Sequence, residues 1–165
     1  MVRLVELFDR AAPWEWTGTL AGAQMATFEI SGVNYMVGFN EYKNLMQQTG
    51  GMLPELQHED IWLSGFAAEI DGEWRQDTVG GNDAGTVSTV ILTFLQIVRA
   101  FLKEQNPPIL AIPAVKDRER IYTQIAKRVA TQAKDLGYTF GGTEEATFPE
   151  YGHSVVFYFA RDDLT

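Results

Sequence analysis

Between Gly80 and Gly137 the chain writes a glycine-rich turn, a helix, a buried strand and a second helix in succession, and few architectures accept that order. Val87, Val90, Ile91, Phe94, Leu95, Val98, Phe101 and Leu102 recur at three- and four-residue steps, which predicts a helix over 86–104 with a wide apolar stripe. Asn82, Asp83 or Thr86 is placed to cap its start. Asn106-Pro107-Pro108 stops it, because proline cannot continue the hydrogen-bond ladder. Residues 109–112 form a short apolar run with proline on both sides, the pattern of a buried parallel strand. The second helix is predicted over 117–136, with Ile121, Tyr122, Ile125, Ala126, Val129, Ala133 and Leu136 on one face. Lys134 suits the negative end of its dipole, and Gly137 is placed as the C-terminal cap.

The flanks add strands. Residues 26–30 and 33–39 read as a hairpin about Ser31-Gly32, with Val33, Tyr35, Val37 and Phe39 alternating with smaller or polar residues. A strand is predicted over 61–70, followed by an Asp71-Gly72 turn and a short strand or extended approach over 73–79. Residues 138–140 start another strand running toward Ala146, and Pro149–Gly152 reads as a turn. Residues 153–160 are apolar on both faces, as an interior strand must be. Leu4, Val5 and Phe8 share one face of a short helix, Trp14 and Trp16 are expected to pack at the core edge, and residues 41–60 read as a polar loop with some helical content. The expected fold is α+β, α/β-like in its second half. It is a single domain over 1–165, with a mixed, mostly antiparallel sheet and two main helices packed on it. Its strand–helix–strand unit is expected to be right-handed.

Composition narrows the partners. The 165 residues are 45% hydrophobic and 21% charged, enough apolar chain to bury about two-thirds of the unfolded surface. The absence of cysteine excludes disulfides, thiolate metal sites and a cysteine nucleophile, and fits a cytoplasmic location. No leader-like apolar run opens the chain, and Gln96, Arg99 and Lys103 argue against a membrane span in the first helix. A net charge of −9 disfavours nucleic acid and anionic membranes as partners, and leaves an amine substrate or a basic protein. His58-Glu59-Asp60 lacks metal-ligand spacing, so no metal is expected.

The order over 61–160 resembles the GCN5-related N-acetyltransferase (GNAT) family, and the layout is also similar to small phage proteins. In that family a glycine-rich turn after the central strand feeds a helix whose backbone N–H groups bind the pyrophosphate of acetyl-coenzyme A. The resemblance therefore implies a coenzyme site at Gly80, Gly81, Asn82, Ala84, Gly85 and Thr86. It departs from the family in lacking an Arg or Gln in the turn and in carrying Asp83 there, a like charge against a phosphate. By position Tyr122 inherits the role of general acid for the departing thiolate, within Arg120-Ile121-Tyr122, and Leu136-Gly137-Tyr138 matches the Gly-aromatic pair that follows. Glu69, at the end of its strand, is the candidate general base for the amine, ahead of Glu73 and His58. Arg118 and Arg120 suit phosphates or a surface ion-pair network with Asp117 and Glu119. Two functions follow from the resemblance: an acetyl-coenzyme A-dependent N-acetyltransferase, or a catalytically inactive scaffold of that fold that binds a protein partner, host-directed if the chain is viral.

Overall fold

A computed structural model describes residues 11–20, 23–41, 61–76, 84–148 and 152–164. They form one eight-stranded sheet with two long helices, an α+β arrangement. The strands are β1 (Trp14–Leu20), β2 (Ala23–Ile30), β3 (Val33–Glu41), β4 (Ile61–Ile70), β5 (Glu73–Gln76), β6 (Ile109–Val115), β7 (Tyr138–Phe148) and β8 (Gly152–Arg161). The helices are α1 (Ala84–Gln105) and α2 (Glu119–Ala133), and α2 is flanked by single 3-10 turns at Lys116–Arg118 and Lys134–Leu136. Strand order is β1-β2-β3-β4-β6-β8-β7, with β5 paired to β4 off that path. Among the described residues only the β4–β6 pair is parallel.

Local chemistry explains the elements. Ser31 and Gly32 both take positive φ, 53° and 80°, which gives the β2–β3 hairpin a turn whose twist matches its strands. Asp71 and Gly72 repeat the device between β4 and β5, at 54° and 79°. Gly137, at φ 84°, ends the second helical segment in the left-handed conformation expected of it. The chain differs from expectation at the N-terminal side, where Trp14–Leu20 is a full strand paired antiparallel to β2. Its alternation of Trp14 and Trp16 with Glu15 and Thr17 is the signal, and the register shift between Trp16 and Gly18 breaks it early. The predicted N-terminal helix face, the 41–60 loop apart from Glu41, and the 149–152 turn apart from Gly152 lie outside the described residues.

Both helices join one core on one face of the sheet, with Phe39, Phe66, Leu110, Ile112, Phe157 and Phe159 from the strands. Phe28, Tyr35 and Phe66 stack at 5.1 and 5.8 Å, Phe66 meets Phe94 of α1 edge-on at 6.3 Å, and Phe39 stacks on Phe101 at 4.0 Å. Although Gln96, Arg99 and Lys103 argue from sequence against a membrane span, Gly85–Gln105 is long and apolar enough to cross a membrane by length and composition. Arg99 and Lys103 fall in its last turns and leave 85–98 uncharged. Val90, Phe94, Leu95, Ile97, Val98, Phe101 and Leu102 are all buried in the protein itself.

The helices are tied down at their ends. Arg99 of α1 makes a bidentate pair with Asp135 at 2.9 and 2.8 Å and also donates to the Gln132 carbonyl. That hydrogen bond from Arg99 is the main reason the Asp135 carboxyl is held below its ordinary value. At the α1–β6 junction the buried Tyr138 hydroxyl donates to the Pro107 carbonyl at 2.6 Å, and Arg161 donates to the Asn106 carbonyl at 2.8 Å.

Candidate functional site

The site begins where β4 and β6 part. Their parallel ladder has three rungs, Ile61↔Ile109, Trp62↔Leu110 and Leu63↔Ala111. The Arg161 N–H donates to the Pro108 carbonyl at 2.9 Å, so even-numbered residues of β6 bond to β8 and odd-numbered ones turn toward β4. The next rung would carry the N–H of residue 113 to the Ser64 carbonyl. Residue 113 is proline and has no N–H to give. Beyond Ser64 the two strands therefore separate, β6 continuing along β8 to Val115↔Ser154 while β4 continues along β3 to Tyr35↔Ala68.

The opening is bounded at its far end. Strand β5 returns along the same edge of β4 that β6 has left, pairing Ala67↔Gln76 through Ile70↔Glu73. Three β4 residues, Ser64, Gly65 and Phe66, thus lie between the last β6 rung and the first β5 rung. Gly65 opposes Gly38 of β3, and these two glycines floor a trough of about 120 Å³ on the sheet face away from the helices, with Met25, Met36 and Asn40 at its sides. On the helix face Ser64 sits opposite Phe39, 2% exposed. Among the described residues its hydroxyl has no hydrogen-bond partner. An orphaned buried hydroxyl costs about 1–3 kcal/mol. Sequence reasoning missed Ser64, because a lone serine in an apolar strand carries no motif.

The residues singled out from sequence fall on different elements. Ala84, Gly85 and Thr86 form the first turn of α1, which contains no acidic side chain, and the Gly85 carbonyl accepts from Thr89 Oγ1 at 2.9 Å. Gly80, Gly81, Asn82 and Asp83 lie outside the described residues, as does His58. Glu69 is half-buried near the end of β4, opposite Trp74 of β5. Strand alternation puts it on the face of Gly65 and Ala67, the face of the trough. Tyr122 is on the other side: it is 7% exposed and packed in the helix-side core with Ile125 and Ala126. The two candidate catalytic side chains therefore belong to opposite faces and are separated by the plane of the sheet. Glu73 is exposed on β5.

The charged groups at the start of α2 form their own network. Lys116 pairs with Glu119 at 2.9 Å and with Glu145 of β7 at 2.8 Å, and His153 lies 3.7 Å from Glu145. The bond from Lys116 is the first cause that lowers the Glu145 pKa. Arg118, placed at the N-cap of α2, has no side-chain capping bond. Among the described residues no group of three or more His, Cys, Asp or Glu side chains is arranged to hold a metal ion.

No protein-family model matches the chain. It is similar to the DNA replication and repair protein RecF of Aliivibrio salmonicida (strain LFI1238), 32% identical over 104 residues, which is 63% of this chain and 26% of that protein. The RecF protein of Aliivibrio fischeri (strain MJ11) is 31% identical over the same length and with the same coverage. The chain thus spans about a quarter of the length of the curated relatives it matches.

Proposed function

We propose that the protein is a GNAT-like, acetyl-coenzyme A-dependent N-acetyltransferase, with its site at the opening between β4 and β6. What supports the reading is the strand order β1-β2-β3-β4-β6-β8-β7, in which the one parallel pair of the sheet parts after three rungs and α1 begins downstream of β4. The thioester would enter the opening with its phosphates toward the start of α1, where Ala84, Gly85 and Thr86 offer a first turn free of acids. An amine bound at the Gly38–Gly65 trough would have Glu69 on its own face of the sheet. In this reaction Glu69 takes the amine proton, the nitrogen attacks the acetyl carbonyl carbon, and the coenzyme thiolate departs and is reprotonated by water. On this reading the protein works in the cytoplasm.

The test is thermal denaturation with and without millimolar acetyl-coenzyme A. A ligand at 100 times its Kd raises stability by about 2.7 kcal/mol. An unchanged melting temperature would sink the reading.

A second reading is favoured by β5. Its backbone already pairs with β4 over 67–70, inside the splay, and Tyr122 is packed in the core. Such a scaffold would bind a protein and catalyse nothing. The likeness to RecF directs the search for that partner to proteins of DNA replication and repair. Co-elution of this chain with such a protein, together with no response to acetyl-coenzyme A, would favour it over the enzyme.

A further inference from the structure

We infer that the outward face of α2 is a docking surface for the phosphate backbone of double-stranded DNA; the inference is independent of the acyltransferase reading above. The net charge of −9 is unevenly spread. Residues 99–136 hold eight basic and four acidic side chains, a local charge of +4. Strands β1 to β5 carry five acidic residues and one basic. Arg120, Lys127 and Lys134 are seven residues apart, so they lie along one line of the helix, about 10 Å from one to the next and about 21 Å in all. The line runs opposite the buried Tyr122, Ile125, Ala126, Val129 and Ala133. Arg128 stands beside it, and all four cations are exposed. Among the described residues none of the four makes an ion pair. The nearby acids are otherwise placed: Glu119 is held by Lys116, Asp135 by Arg99, and Asp117 precedes the helix in its 3-10 turn. Thr131 and Lys134 also line the groove of about 660 Å³ between α1 and α2, with Gln96, Arg99, Gln132 and Asp135.

The face selects the class of anion. Ile121 is the one large apolar side chain exposed on α2, so the face lacks the packed anchors on which a protein partner's affinity rests. Exposed cations paired singly with carboxylates contribute little. Against a phosphate backbone the same cations release condensed counterions, and that term needs no apolar contact. Gln124 and Thr131, on the same face, can bond phosphate oxygens. An anionic membrane is a plane of charge and would act on the whole acidic molecule. A duplex presents a narrow ridge of phosphates to one helix, while the sheet's acids lie behind the helix layer, about a Debye length away at 0.1 M salt. The only aromatic ring of α2, Tyr122, is buried, so the face has nothing on which the bases of a single strand could stack. A helix fits beside the wide major groove of B-form DNA; that of A-form RNA is deep and narrow.

Fluorescence anisotropy of a labelled DNA duplex of mixed sequence, titrated with the full chain at several salt concentrations, tests this. Four phosphate contacts predict a slope of about −3.6 in log K against log salt, a loss of about a hundredfold between 50 and 200 mM. Lys127→Ala combined with Lys134→Ala should weaken binding and flatten the slope by about two. Arg75→Ala, which removes an exposed base on β5, should leave the slope as it is. No binding of the duplex at 50 mM salt overturns the inference. So does a slope that the double variant leaves unchanged, or that Arg75→Ala flattens as much, since the contacts then lie elsewhere. Tighter binding of a single strand or an RNA duplex of equal length overturns the choice of DNA duplex. Tighter binding of phosphatidylserine vesicles or of a poly-glutamate peptide overturns it in favour of a membrane or an acidic protein. The wild-type slope and these competitors need no variant, so the inference is testable whatever the substitutions do to folding.

Discussion

Replacing Tyr138 by phenylalanine should lower stability at neutral pH and remove much of the loss of stability that the protein shows in alkali. The hydroxyl is buried and donates to the Pro107 carbonyl at 2.6 Å, fastening the end of α1 to the start of β7. Losing that bond leaves a buried carbonyl unpaired, at a cost of about 1–2 kcal/mol. Burial also pushes the phenol up from 10.0 to about 12, partly offset by the charge of Arg161. Between these values the folded chain holds a proton that the unfolded chain has released, so stability falls as pH rises through this window. At pH 11 the penalty is on the order of 1 kcal/mol, and it grows to roughly 2–3 kcal/mol above pH 12. Phenylalanine carries no such proton. The deficit of Tyr138→Phe should therefore be full at pH 7 and shrink toward zero near pH 11. Urea unfolding of both proteins, followed by tryptophan fluorescence and circular dichroism from pH 7 to 11.5, measures it. The difference between the two curves cancels the titration of every other group. A deficit that stays constant across that range would refute the argument that burial of the phenol shifts its titration.

Two further outcomes are expected. Asp135 is held below its ordinary pKa chiefly by its bond from Arg99, so its contribution is present above the unfolded carboxylate value and lost as pH falls through the depressed folded one. The melting temperature of Asp135→Asn should lie below wild type at pH 7 and low salt and the gap should narrow as pH falls below the ordinary carboxylate value, and 1 M salt should narrow the neutral gap because both partners are exposed. Gly137→Ala forces a side chain into φ 84°, where no neighbour lies within 4 Å of the new methyl, so the cost is backbone strain alone. It should be about 1 kcal/mol, or about 2–4 °C in melting temperature by scanning calorimetry.

Much of the scaffold was legible in the sequence because its signals are local. Ser31-Gly32 and Asp71-Gly72 announce their turns, the stripe from Val87 to Leu102 announces α1, and the apolar run at 109–112 announces a parallel strand. Strand β6 runs three residues further than expected, through Pro113 to Val115. A proline normally ends a strand, yet here its missing N–H falls on the side that faces no partner. That outcome depends on where β4 goes, which the local sequence around Pro113 does not encode. Strand β1 was missed because Gly18 interrupts a short alternation. The site was less legible for the same reason as Pro113: Ser64 matters through what fails to meet it. Tyr122 and Glu69 were chosen by position along the chain, and the sheet places them on opposite faces.

The parting at Pro113 makes the sheet two plates rather than one. Strands β1 to β5 form one antiparallel plate and β6 to β8 the other, and three backbone rungs form the seam between them. A seam that short could zip further whenever the opening stood empty, closing it by ordinary strand pairing. A proline at the next tooth prevents this, because the strand has nothing to offer the Ser64 carbonyl. The width of the opening is thus written into one residue of β6, and it persists whether or not anything occupies it.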